Sequence, residues 1–208
     1  MANSQAKRLG HEDRRKAILK TAADVFLEKG YYAASIDEII ERAGGSKRSI
    51  YSEFGNKEGL FIAIVTENCH KITAILSRAT AEDKGLRATL LEAVRASLEI
   101  VMSPLVIGLY RAMTGDAWRF PRLAKTFYEA GPGLIAASVV RALEVAKQRG
   151  EIDIEDCAAA TDHFIGMIRD NLYHQVVLGL RKPPKAAERE KIAISVVGLF
   201  LNGVLVRR

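Results

Sequence analysis

Cysteine is scarce in this chain: there are two in 208 residues, Cys69 and Cys157. They are too few and too far apart for a disulfide framework or a zinc ribbon, and read as buried or idle thiols in a reducing cytosol. Proline is scarce as well, at five, and no stretch alternates apolar and polar residues with the period of two that a half-buried strand requires. Histidine numbers four (His11, His70, His163, His174). With no Gly-x-Ser-x-Gly elbow and no phosphate loop, nothing assembles into a catalytic site. The expectation is therefore a protein that is not an enzyme, with no cofactor and no metal.

Long hydrophobic runs are short of membrane length. The longest uncharged stretch, Ile192 to Val206, has fifteen residues. At about 1.5 Å per residue it spans roughly 22 Å, below the ~30 Å hydrocarbon core. Its Ser195, Gly198, Asn202 and Gly203 suit close helix packing, so it reads as a buried helix at a subunit interface. The N-terminal cations precede no apolar h-region, so no signal peptide is expected. Cytoplasmic localisation without membrane contact follows as an expectation.

What is present favours helix. Apolar residues make up 49% of the chain, and Ala, Leu, Ile, Glu, Lys and Arg dominate. The fold class is all-α. A net charge of +6 permits an anionic partner. Within the first twenty residues six cations (Lys7, Arg8, Arg14, Arg15, Lys16, Lys20) face two acids, Glu12 and Asp13. Residues 1–11 read as a basic, disordered arm, although a solvated helix face fits the charge equally well.

Ile18, Ala22, Val25 and Phe26 share one face of a helix over 12–29, closed by Lys29 and Gly30. Ser35-Ile36-Asp37-Glu38 forms a capping box for a second helix, which Gly44-Gly45 stop. Ser46 caps a third, through about Glu53, and Asn56 caps a fourth running toward residue 80. Three short helices with a tight glycine turn between the last two make a helix-turn-helix. Further helices are predicted over 84–102, 104–115, 120–130, 132–149, 155–179 and 185–206. The domain reading is 12–56 for the helix-turn-helix and 57–208 for a larger helical regulatory and dimerisation domain.

In a helix-turn-helix the second helix of the pair presents its N-terminal residues to base edges in the major groove. Here it opens Ser46-Lys47-Arg48-Ser49. Arg48 can pair bidentately with a guanine edge, and Lys47 can do so or take a phosphate. Tyr51 offers a hydroxyl, Lys57 lies at a helix N-terminus where phosphate is favoured, and Ser35 could add another anchor. Ile50 and Phe54 pack inward.

The stretch "SIDEIIERAGGSKRSIYSEFGNKEGLF" resembles the DNA-binding domain of TetR-family transcriptional regulators. It matches the family pattern at Ser35, Ile39, Ala43, Gly44, Ser46, Ile50, Tyr51, Phe54, Asn56, Lys57, Glu58 and Leu60. The resemblance implies base reading from positions 46–49 and phosphate contact by Tyr51 and Lys57. Three residues depart from the pattern: Gly45 stands where valine is usual, Ile40 where a small alanine is, and Glu53 where histidine or tyrosine is frequent. Glu53 is left out of the site. Beyond residue 110 the chain is similar to an AefR-like branch, whose C-terminal domains dimerise through their last two long helices and bind a small effector in the remaining ones.

Ile192, Val196, Leu199, Phe200 and Gly203 line one face of a last helix that is apolar nearly all round, and a partner subunit would cover its second side. His163, Met167, Asp170 and His174 share a face of a continuous 155–179 helix. The two histidines are roughly 16 Å apart, too far for one ion. Polar contacts at a dimer interface or in a pocket are the reading instead. Tyr110, Arg111, Met113, Trp118, Phe127 and Tyr128 (with Phe120) either line an apolar effector pocket or pack as core. The expected function is a homodimeric, ligand-responsive repressor on a palindromic double-stranded DNA operator, released by a small, mostly apolar effector. The alternative is a DNA-bound scaffold of the same fold that recruits a protein partner.

Overall fold

The computed structural model describes the backbone of residues 2–44, 46–81 and 85–204, and side chains between 12 and 202 except at 45, 71, 79–84 and 116. All regular structure among the described residues is helical: α1 Ala2–Ala33, α2 Ile36–Ala43, α3 Lys47–Phe54, α4 Lys57–Ala81, α5 Leu86–Val101, α6 Pro104–Asp116, α7 Pro121–Ala130, α8 Pro132–Gln148, α9 Cys157–Ile168, α10 Asn171–Val177 and α11 Ala186–Val204. No single described helix is long and apolar enough to cross a membrane. Two compact units emerge, residues 1–67 with 108–127, and residues 68–107 with 128–208.

In the first unit Ile18, Ala22, Val25 and Phe26 are buried as their spacing predicts, and they meet Ile39, Ile50, Leu60 and Phe61. The ring of Phe61 lies 5.3 Å from Phe26 and 5.2 Å from Tyr31, both edge-on. That geometry sets the positive edge of one ring against the negative face of the other. Gly30, at φ 76°, breaks α1 where the sequence placed its end, because an L side chain resists that left-handed conformation. Helical backbone nevertheless resumes to Ala33, and α1 begins at Ala2 rather than at 12. The side chains of Lys7 and Arg8, in the expected arm, lie outside the described residues.

In the second unit α5 is buried along most of its length and packs chiefly on α11, with α8 and α9 alongside. The ring of Phe164 of α9 lies 4.8 Å from that of Phe200 of α11, tilted by 52°. The side-chain carboxylate of Asp156 accepts from the backbone N–H of Ala158 and Ala159 and so starts α9.

The continuous 155–179 helix does not form. Arg169 leaves the helical region at φ −97°, ψ 51°, and the Asp170 carboxylate accepts from the Tyr173 N–H at 3.2 Å, starting α10 afresh. His163 and Met167 are therefore on α9, Asp170 is a cap, and His174 is on α10 with its Nδ1 2.8 Å from the Asp170 carbonyl. The four do not share one helix face.

The orientation of α11 also differs from expectation. Val196 and Phe200 are 6% and 4% exposed and belong to the protomer core, whereas Ile194 and Leu199 are 55% and 66% exposed. The surroundings of Gly203 lie outside the described residues.

Candidate nucleic-acid interface

The site is built from two capped helix starts. The Ser35 hydroxyl accepts from Glu38 N–H at 3.2 Å, and the Ser46 hydroxyl accepts from Ser49 N–H at 3.3 Å. Each satisfies one of the donors that a helix start leaves orphaned. Gly44, at φ 74°, closes α2 and returns its N–H to the Ile40 carbonyl at 2.8 Å. Gly45, the first departure from the family pattern, lies outside the described residues.

With Ile50 buried against the unit's core, the pitch of α3 turns Lys47, Arg48, Tyr51 and Ser52 to solvent. No ion pair or hydrogen bond holds the Arg48 guanidinium among the described residues. Lys47 pairs with Asp37 of α2 at 2.7 Å, and hydrogen bonding to that carboxylate raises the ammonium's pKa. Both partners are well exposed, so the pair is weak and exchangeable for a phosphate. Ser49 is half-buried, and its hydroxyl accepts from Arg14 at the long distance of 3.5 Å. It is turned toward α1 and not outward like its neighbours.

Lys57 is placed differently from expectation. Its ammonium donates to the carbonyls of Tyr31 at 3.0 Å, Tyr32 at 3.1 Å and Ala34 at 3.1 Å. It also lies 4.7 Å from the centre of the Tyr31 ring. Burial pushes its pKa down. All three ammonium hydrogens close the end of α1, so a side-chain phosphate contact requires the ammonium to leave these carbonyls.

Glu53, which the sequence left without a role, has one in the fold. Arg15 on α1 places Nε 3.3 Å from the Glu53 carboxylate and Nη1 3.1 Å from that of Glu67, with its guanidinium 5.8 Å over the Phe54 ring. One cation thus ties α1, α3 and α4 together. In the sequence Arg15 was one of six cations within the first twenty residues. Arg15→Met should lower stability by about 1–2 kcal/mol by leaving Glu53 without this counter-charge. Arg15→Met/Glu53→Gln should recover much of that in urea denaturation. Additive losses in the double variant would mean that the pair is not coupled.

Behind Phe54 the turn into α4 is tight. Asn56 caps α4 by accepting from the Gly59 N–H at 2.8 Å. A Cβ on Gly59 would lie 1.9 Å from the Phe54 carbonyl oxygen. Only glycine fits there, which fixes the angle at which α3 leaves α4.

The expected effector residues differ widely in exposure. Met113 is buried, Tyr110 and Phe127 are half-buried, and Arg111 and Tyr128 are exposed. Trp118 is 80% exposed in the turn after α6. Phe127 packs on Phe61 at 6.1 Å as part of the core. None of the six lines the groove described below, and no group of three metal-ligating side chains occurs among the described residues.

Residues 18–64 match the family described as bacterial regulatory proteins, tetR family, and residues 88–203 match the AefR-like transcriptional repressor, C-terminal domain. The transcriptional activator FasR of Mycolicibacterium smegmatis is 32% identical over 99 residues, which is 48% of this chain and 45% of FasR. The chain thus spans less than half the length of that relative. A TetR-family regulator structure from Mesorhizobium loti is 27% identical, with a TM-score of 0.74 over 94% of this chain and 98% of its own. The flavonoid-responsive regulator FrrA is also 27% identical, with a TM-score of 0.69 over 95% of this chain and 100% of its own.

Proposed function

The chain belongs to the TetR family of bacterial transcriptional regulators, and on that premise we propose that it represses from a palindromic operator as a homodimer and is released by a small, mostly apolar effector. The observation that carries the DNA-binding part is the capped start of α3, which offers Lys47, Arg48 and Tyr51 outward from a buried Ile50. Arg48 reads a guanine edge, Lys47 exchanges Asp37 for a phosphate or a second base, and Tyr51 and Ser35 hold the backbone. Two copies of α3 then occupy successive major grooves. Selection from a random duplex library followed by footprinting tests this. Two inverted half-sites with centres about 10–10.5 base pairs apart, or a multiple of that, are expected; binding without sequence preference would overturn it.

The homodimer is supported by the outward sides of α9 and α11. Met167, Ile194 and Leu199 are large apolar side chains left open to water beside Gly166 and Ser195, and such exposed faces mark interaction surfaces. His163 lies on the same side of α9 as Met167, one turn away. Leu199→Arg should convert the protein to a monomer in light scattering and reduce operator affinity by at least about tenfold through loss of the second half-site. A dimer that persists in this variant would move the interface elsewhere. Effector responsiveness is supported by FrrA, whose name gives it as flavonoid-responsive.

A further inference from the structure

In the first unit, a groove of about 440 Å³ opens between the end of α1, the first turn of α4 and the segment entering α7. Tyr31, Tyr32, Phe120 and Leu123 give it apolar and aromatic walls, and Lys57, Arg119 and Arg122 bring three cations to its lining against the single acid Glu58. The Arg119 guanidinium lies 5.0 Å over the Tyr32 ring and 6.0 Å from that of Phe120. Tyr32 and Arg122 are exposed, so the mouth is open.

Lys57 is the unusual member. Its ammonium is half-buried and faces three carbonyls and a ring, with no carboxylate paired to it among the described residues. A cation removed from water and given only dipoles for partners has most to gain from a counter-ion. Burial already pushes its pKa down, the mark of that deficit.

We propose that this groove is a binding site for a small aryl carboxylate, the ring lying against Tyr32, Phe120 and Leu123 and the carboxylate taking Lys57 and Arg122. The proposal rests on the ligand-responsive reading above and names the chemistry and place of the effector. Aromatic walls select a flat ring over an alkyl chain because ring pairs add to plain area burial. The carboxylate then competes with the carbonyls of Tyr31, Tyr32 and Ala34 for one ammonium. The lysine–carbonyl bonds are already charge-assisted, and what the carboxylate adds is the full counter-charge that three neutral dipoles do not supply, which draws the ammonium toward the ligand. The last turn of α1 is thereby uncapped immediately before Ser35, the residue that starts α2. Ligand binding loosens the scaffold that aims α3, and operator affinity falls.

Trp118 is the chain's only tryptophan and lies 5.9 Å from the Arg119 guanidinium, so its emission reports on the groove without a label. The full chain is titrated with 4-phenylbutyrate, 4-phenylbutanol and octanoate. A saturable change with phenylbutyrate is expected, with the alcohol and octanoate each at least about tenfold weaker. Arg122→Gln should weaken phenylbutyrate by a similar factor while leaving ligand-free operator binding unchanged, and saturating phenylbutyrate should lower the wild-type operator affinity. No saturable change, equal binding of the alcohol, or an Arg122→Gln response like wild type would overturn the site. Octanoate binding as tightly would overturn the aryl assignment. Because the titration needs no DNA, failure of operator binding would count against the proposed function alone, and a ligand-blind protein that still binds its operator would count against the groove alone.

Discussion

Arg48→Ala should lower operator affinity by about 1–3 kcal/mol per contacted half-site, roughly 5- to 150-fold, while leaving stability and dimerisation unchanged. Each part of that expectation follows from placement. The guanidinium is exposed on the second position of α3, and no partner among the described residues depends on it. Removing it therefore takes nothing from the fold, and the whole loss appears in binding. Fluorescence anisotropy on the selected operator measures the loss, with thermal melting and light scattering as controls. The selectivity pattern is the sharper readout. If Arg48 reads a base, the variant loses discrimination at one position of each half-site, whereas loss of a phosphate contact weakens all sequences alike and reduces the salt dependence. Tyr51→Phe, which removes only a hydroxyl, should show the second pattern at smaller size. Full affinity in both variants would remove α3 from the site.

Phe61→Ala should cost about 3–5 kcal/mol of stability, a large share of what a domain this size has. Phe61 is fully buried in the first unit and touches the rings of Phe26, Tyr31 and Phe127. Truncation removes its transfer free energy and leaves a cavity among rigid rings that cannot collapse into it. Urea unfolding followed by circular dichroism should show an earlier transition, and operator binding should disappear as the unit carrying α3 melts. Phe61→Leu, which keeps most of the volume, should lose much less. If Phe61→Ala melts like wild type, the aromatic cluster is not what holds this unit.

The contrast between these two residues shows what could be read from the chain. Helix starts at Ser35, Ser46 and Asn56, and the break at Gly30, were visible because their causes are local. A hydroxyl or amide reaches an N–H two or three residues on, and a glycine admits a backbone angle that others avoid. The all-α class and the exposed row on α3 followed from the same short-range chemistry. The break at Arg169 and Asp170 was hidden because apolar residues continue through it at helical spacing, from Phe164 and Ile168 to Leu172 and Val176. The rotation of α11 was hidden for a different reason. A helix apolar nearly all round contains no pattern that says which side faces its own core. Longest in range were the partners of Lys57 and Arg15. Tyr31 and Ala34 lie 26 and 23 residues from Lys57, and Glu67 lies 52 residues from Arg15. Periodicity has no record of such pairings, so a helix-start lysine looked like a phosphate ligand and a strut looked like one more cation of a basic stretch.

Within α3 only Ile50 is buried, while Lys47, Arg48, Tyr51 and Ser52 project into water. The helix is held by Ile50, by the Glu53–Arg15 pair and by its ends, with Ser46 at the start and the glycine-only turn behind Phe54 at the finish. Foldability and sequence preference are therefore written on different residues. Positions 47, 48, 51 and 52 can be randomised together with little risk of losing folded protein, which makes this helix a cartridge for retargeting. A library confined to those four positions should yield mostly folded members that differ in the DNA they choose.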